Sequence, residues 1–310
     1  MKKYYFTWGD VNMENTQRFP IIDFTGWVEL DLLITGVREK KWIKNNKIGE
    51  IGLFKFLKTA YTGDYWAEKL AYELGKMINI EVARTEIGMY NGRIGSFSYN
   101  ILQDGEHLLE GYAIIGDVLD FSISSEIYDK IGLNYSVELL ENVLVGYFLL
   151  FLKVPVFDCL IGNTDRHHGN WAFITNDNGV WLRISPLYDN GSSLCYLERA
   201  ERIELMQKDA RMLDAALYTK PKSQIGLGDI RTVNHFDLFS YLCSKYKKNL
   251  RNIMNDLENG ITEKSISDLL DRFDDKIIEE KIKRFLSMFI MKRKERMIDI
   301  FNKHSHKGGL

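Results

Sequence analysis

The feature that most constrains this chain is a change of apolar period along its length. From Trp27 to about Leu102, short runs such as Ile51 to Leu57 and Ile94 to Ile101 alternate apolar with polar residues and are punctuated by glycine, the pattern of strands. One helical segment interrupts them. It follows Gly63, with Asp64 as the expected N-cap, and sets Trp66, Leu70, Ala71, Leu74, Met77 and Ile78 at helical spacing along one face. Beyond about Tyr112 the period becomes helical, with Val137 to Leu152 read as one long apolar helix and Phe236 to Phe301 as two or three amphipathic ones. The expected class is therefore α+β: a small β-rich lobe with one helix over residues 1–103, and a larger, mainly helical lobe over 104–310.

The helical part holds one island of β pattern. Trp171 to Ile174 and Trp181 to Ile184 are joined by Asn176-Asp177-Asn178-Gly179, a hairpin turn sequence. An antiparallel hairpin brings the start of its first strand beside the end of its second, so Asn170 is expected near Asp189. Asp165 lies five positions before Asn170 on a polar loop. Two carboxylates and an amide oxygen are hard ligands of the kind that hold magnesium against phosphate. Taken singly, each is an ordinary turn former. Together they match what phosphoryl transfer requires: a carboxylate to orient a hydroxyl, and an amide and a second carboxylate for the metal. The Asp-x-x-x-x-Asn spacing equals that of a protein-kinase catalytic loop, and Tyr188-Asp189-Asn190-Gly191 stands where the metal-binding Asp-Phe-Gly is expected. The whole reads as a two-lobed, protein-kinase-like fold.

Composition narrows the alternatives. Lys and Arg number 41 against 43 Asp and Glu, a net charge of -2, so no global field points to nucleic acid or an acidic membrane. Cys159, Cys195 and Cys243 lack metal-type spacing and read as free thiols. The N-terminus has no apolar signal region, and the run Val143 to Leu152 is stopped by Lys153 and Pro155, short of the ~20 residues of a membrane span. His167 and His168 are adjacent, so their side chains diverge; one is expected to pack and the other to meet solvent.

GNTDRHHGNW followed by SPLYDNGSSL resembles the catalytic core of HipA-type serine/threonine kinases, whose pattern runs Gly-Asn-x-Asp-x-His-x-x-Asn and then Pro-x-Tyr-Asp. The resemblance implies Asp165 as the catalytic aspartate, with Asn170 and Asp189 as magnesium ligands. It also makes Thr35-Gly36-Val37-Arg38-Glu39-Lys40 similar to the family's phosphate-covering loop, with Gly36 and Lys40 as phosphate contacts. Lys55, in GLFKFL, resembles the lysine that pairs with the α- and β-phosphates, with Lys58 on the opposite face; Glu68 resembles the helix glutamate that holds it, with Glu73 as a substitute. The adenine-reading hinge is placed at Tyr99, Asn100 and Ile101, extending to Gln103. A further match lies at Lys222-Ser223-Gln224-Ile225.

The compact length suggests the cell-translocating kinase A branch, with too little chain for the additional N-terminal subdomain of HipA-type toxins. Leu33 stands where that family carries a regulatory serine. By resemblance the function is ATP- and Mg2+-dependent phosphorylation of a protein substrate at Ser or Thr, with autophosphorylation. No nucleic acid partner and no membrane span are expected, and the cytoplasm is the default location unless branch membership implies export. The rival readings are a metal-dependent phosphohydrolase or nuclease built from Asp165, His167, His168 and Asp189, a lipid-kinase-like phosphotransferase, and a nucleotide-binding pseudokinase. Residues 191–228, with LERAERIELMQKDARMLD, read as an amphipathic helix or part of a substrate platform.

Overall fold

The computed structural model describes residues 17–32, 38–57, 59, 62–118 and 135–304. Gly36, with Leu33, Thr35, Val37 and Lys58, lies outside the described residues. The small lobe is a six-stranded sheet in the order β1-β5-β6-β4-β3-β2. Its strands are β1 (Ile22–Asp23), β2 (Val28–Leu30), β3 (Lys40–Lys44), β4 (Ile51–Phe56), β5 (Thr85–Tyr90) and β6 (Arg93–Tyr99). All pairings are antiparallel except β1 with β5. Alternation divides the strand residues between two faces. On one face Phe24, Ile43, Phe54, Phe56, Tyr90 and Phe97 form a separate aromatic cluster. On the other lies α1 (Asp64–Met77).

Helix α1 is buried along most of its length because it is wedged between this sheet and the helical lobe, and its core merges with that of the helices. Its charged residues survive burial by pairing: Lys69 Nζ lies 2.8 Å from both Glu73 Oε1 and Glu86 Oε2. The first residue of the helix is Asp64; Gly63 is the N-cap and makes no side-chain capping bond. The expected capping role of Asp64 is thus corrected, its carboxylate being drawn instead into an ion pair with Arg38.

After the six-stranded sheet come β7 (Glu106–Glu110) and α2 (Gly111–Val118). The expected single helix over Val137 to Leu152 is broken into α3 (Val137–Val143) and the single turn α4 (Phe148–Phe151), followed by α5 (Lys153–Ile161). The break falls at Gly146, whose φ of +81° a helix does not tolerate. A new helix starts at Lys153, and Pro155 sits in its first turn, where a missing N–H costs nothing. The hairpin is present as β8 (Ala172–Asn176) and β9 (Trp181–Ile184). It is one part of a three-stranded sheet, because β7 pairs antiparallel with β8.

Next come α6 (Ala200–Lys208), α7 (Ala210–Asp214), a π-helical turn (Ala215–Thr219), β10 (Lys222–Ser223) and β11 (Val233–Asn234). Three amphipathic helices close the fold: α8 (His235–Gly260), α9 (Glu263–Asp271) and α10 (Glu280–Lys303). Gly260 marks a close approach of α8 to α1, since a Cβ there would stand 2.0 Å from the carbonyl oxygen of Met77. Among the described residues no helix is long and apolar enough to cross a membrane.

Candidate active site

Strand register brings two lysines together. Lys40 on β3 is the direct partner of Lys55 on β4, so both ammonium groups leave the same face. Lys55 is 5% exposed, and its Nζ donates at 2.9 Å to Glu68 Oε1 and at 2.9 Å to Asp189 Oδ1. Burial alone would lower its pKa, but the charges and hydrogen bonds of Asp189 and Glu68 reverse that and raise it above the ordinary lysine value. Asp189 shows the reciprocal effect. Burial works to raise its carboxyl, yet Lys55 and, further off, Lys40 and Arg38 hold it well below the usual carboxylate range. Lys40, half-buried, is lowered by desolvation and by the neighbouring Lys55. Glu73 is not a substitute for Glu68, because it binds Lys69 and Lys76 instead.

The residues after Asp189 lock to α1. Asn190 N–H donates to Glu68 Oε2 at 3.0 Å, so one carboxylate holds both the β4 lysine and the chain beyond β9. Asp189 itself has a left-handed φ of +55°. Arg38 donates through Nε to the Phe56 carbonyl at 3.0 Å and pairs with Asp64, pinning the chain that leads into β3 to the start of α1.

Around Asp165 the backbone is clamped on both sides. Its N–H donates to Asn163 Oδ1 at 3.0 Å, and its carbonyl accepts from Asn170 Nδ2 at 2.7 Å, while its side chain is exposed. Because Asn170 spends its NH2 group on that carbonyl, its Oδ1 is the end left for a cation.

Arg166, 1% exposed, organises the loop from beneath. Its guanidinium binds Asp158 Oδ1 at 2.9 Å, the carbonyls of Asn170 at 2.7 Å and Tyr188 at 2.6 Å, and Asn190 Oδ1 at 2.6 Å. One buried cation therefore ties the segment carrying Asp165 and Asn170 to the segment carrying Asp189. Burial pushes the Asp158 carboxyl up, and Arg166 and Asn163 pull against it.

Further support comes from the segment after β10 and from the start of α8. Gln224 Nε2 donates to the Thr164 carbonyl at 2.9 Å, and His235 Nε2 to the Asn163 carbonyl at 2.8 Å. Burial and Arg293 push the His235 pKa down to about 3. The unfolded chain thus binds a proton between about pH 6.5 and 3 that the native state refuses, so stability is full above 6.5 and falls as pH drops through that window. The expected loss between pH 7 and 5 is about 2 kcal/mol. Urea titrations should show it in the unaltered protein and not in His235→Gln, which keeps a donor without titrating.

His167 is half-exposed and its Nδ1 accepts from Gly169 N–H at 3.0 Å, whereas His168 is 2% exposed with the rings of Tyr112 and Tyr135 nearby. The two imidazoles do not share a ligand site. Tyr99, Asn100 and Ile101 lie at and beyond the end of β6, past Ser96, the residue opposite Lys55. The N–H groups of Tyr99, Asn100, Leu102 and Gln103 bond internally to Arg84 O, Ile51 O, Asn100 Oδ1 and Glu106 Oε2.

Sequence reasoning missed Asp158, Arg166, Asn190, Arg38, Asp64, His235 and Glu110. The last closes β7, and its carboxyl is raised by burial while Tyr112, His167 and Lys40 draw it back. Arg38 and Arg166 had a signal, since each sits inside a motif already singled out.

Comparison with known proteins agrees with this architecture. Residues 119–265 match the HipA-like C-terminal domain family. A curated relative, the serine/threonine-protein kinase CtkA of Helicobacter pylori, is 22% identical over 191 residues, covering 60% of this chain and 58% of its own length. This chain therefore aligns with less than two thirds of that relative. The crystal structure of a H. pylori proinflammatory kinase CtkA superposes with a TM-score of 0.76 at 20% identity, over 94% of this chain and 100% of that one. HipA in the Shewanella oneidensis toxin–antitoxin complex of HipA, HipB and operator DNA gives 0.52 at 14% identity, over 87% and 67%. The two-lobed kinase-like fold and the resemblance to HipA-type proteins are both upheld.

Proposed function

We propose that this chain is a protein kinase that uses ATP and magnesium to phosphorylate Ser or Thr hydroxyls, its own included, with its lobes meeting near residues 103 and 104. The observation that carries this reading is Lys55, buried and bridging Glu68 and Asp189 at 2.9 Å each. A hydrolase has no use for a lysine so placed, whereas a kinase needs a cation fixed against the α- and β-phosphates. The hydrolase rival also asks both histidines to serve one site, and His168 is packed away from it.

In this mechanism Asn170 Oδ1 and the Asp189 carboxylate would hold the metal, two hard oxygen donors suited to magnesium. The chemistry a metal held there would supply is neutralisation of charge on the phosphates. Lys55 and Lys40, direct partners on adjacent strands, would face the phosphates. Ile101 offers the hinge N–H to adenine, its neighbours being internally bonded. Asp165 accepts the proton of the incoming hydroxyl as its oxygen bonds to the γ-phosphorus and the bond from that phosphorus to the β,γ-bridging oxygen breaks, releasing ADP. The clamps on its backbone hold the residue that carries that carboxylate in place. The cytoplasm is the place of action this reading assumes.

The test is incubation with γ-labelled ATP and magnesium. Label on protein is expected; released phosphate alone would indicate a hydrolase, and neither would indicate a binding module. Lys55→Ala should lower kcat/KM by roughly a hundredfold or more, the loss typical of one fixed charge-stabilising group. Near-normal transfer in that variant, with its fold checked by circular dichroism, would overturn the assignment.

A further inference from the structure

Two like charges stand opposite each other where β3 begins. Lys40 is the first residue of that strand and the direct partner of Lys55, and like charges so placed push a ladder apart. Lys55 is neutralised by Glu68 and Asp189. Lys40 is not: burial, Lys55 and Arg38 disfavour its ammonium more than Asp189 and Glu110 support it. The end of a strand is also where a sheet frays first, so this end has to be held from outside the ladder. The bonds beyond Lys40 show how. Phe56, the residue after Lys55, donates its N–H to the Glu39 carbonyl at 3.1 Å, and its carbonyl accepts from Arg38 Nε at 3.0 Å. An arginine side chain thus continues the ladder past the last paired residue.

The outer nitrogen of the same guanidinium, Nη2, pairs with Asp64, 3% exposed at the start of α1. Asp64 thereby neutralises a third cation that would otherwise add to the repulsion around Lys40. Glu39 contributes less: it and its partner Arg93 are 56% and 52% exposed, and an ion pair in water is worth little. Because α1 also carries Glu68, one helix holds both lysines, Lys55 directly and Lys40 by way of Asp64 and Arg38. We infer that Arg38 is a positioning residue for nucleotide binding: bridging Asp64 and Phe56, it holds the start of β3 so that Lys40 stays beside Lys55 and meets the phosphates. The inference rests on the kinase reading above, which sets the phosphates against those two lysines. Arg38 acts through Lys40 and touches no phosphate itself. An arginine suits the task because its fixed planar fork serves two acceptors at once, the carbonyl through Nε and the carboxylate through Nη2.

The test is a double-mutant cycle on the full chain, read as the Kd of Mg-ATP by titration calorimetry. Lys40→Met should raise that Kd about tenfold, the size of one charge-assisted bond, and Arg38→Met by about the same. The two together should raise it no further than either alone, because Arg38 has nothing to aim once Lys40 is gone. Thermal stability should behave otherwise, Arg38→Met lowering Tm by the same amount in both backgrounds. In peptide phosphorylation assays Arg38→Met should raise the KM for Mg-ATP about tenfold and leave the peptide KM within about twofold. Since Arg38→Met strands the buried Asp64 carboxylate, Arg38→Met combined with Asp64→Leu is made alongside it and should show the same Kd. Losses that multiply to about a hundredfold when Lys40→Met and Arg38→Met are combined, an unchanged Kd in both Arg38 variants, or a peptide KM that rises in step would overturn the positioning role. Failure of both Arg38 variants to fold would make the residue a structural one and overturn it as well. Mg-ATP binding that follows the expected cycle, without label transfer to any protein or peptide, would uphold Arg38 and overturn the kinase. No Mg-ATP binding by the unaltered chain would overturn both.

Discussion

Asp165→Asn is expected to reduce turnover by roughly a hundred to ten thousandfold, the contribution of a general base, while Mg-ATP still binds. Both backbone clamps on this residue run through its N–H and carbonyl, so the substitution leaves the loop in place. Asp189→Asn should behave differently. It removes one of the two carboxylates that hold Lys55 and, on the proposed reading, a charged oxygen from the metal shell, so nucleotide affinity is expected to fall with activity. A ligand at 100 times its Kd stabilises the native state by about 2.7 kcal/mol, roughly several degrees of Tm for a chain of this size. Thermal melts with and without Mg-ATP should show that shift kept in Asp165→Asn and largely lost in Asp189→Asn. Equal loss in the two variants, or turnover surviving in Asp165→Asn, would mean the roles are misassigned.

The second large effect is on stability. Arg166→Met strands the buried Asp158 carboxylate and removes the donor from three further acceptors, the carbonyls of Asn170 and Tyr188 and Oδ1 of Asn190. Breaking a buried pair from one side costs about 3–5 kcal/mol, a large part of the 5–15 kcal/mol that holds a typical domain. The melting temperature should fall by roughly 10 °C. The double variant Asp158→Leu with Arg166→Met should recover part of the loss, because no lone charge is then left in the interior. A single variant within 1 kcal/mol of the unaltered protein, by urea unfolding, would show that Arg166 is incidental to the loop.

These two experiments also mark where sequence reading stops. That the segments carrying Asp165, Asn170 and Asp189 meet was legible, because a hairpin turn sequence brings them together, and Arg166 and Asn170 bond across them; the roles given to the three residues belong to the proposed reading. Lys55 and Glu68 needed the family resemblance; the structure joins them across 13 positions by a 2.9 Å bond. Arg166 stands in the same motif, yet an arginine on a polar loop looks identical in sequence whether it faces solvent or is buried against Asp158. His235 was beyond reach for another reason: its partner, Asn163, is 72 positions away, and only the packing of α8 brings them together. At the level of elements, alternation and helical period identified most segments. The break at Gly146 was missed because apolar residues continue on both sides of it, and β7 because its pairing with β8 is a long-range event that a short local pattern does not announce.

The wedge position of α1 has a consequence for how the molecule comes apart. One face of this helix completes the small sheet and another joins the core of the large lobe, with Met77 touching α8 and Glu68 holding Asn190. Neither lobe can open without stripping a face from the same helix. The two parts should therefore share their slowest hydrogen-exchanging amides and melt as one cooperative unit, so that cutting the chain between them yields two unfolded pieces rather than two small domains.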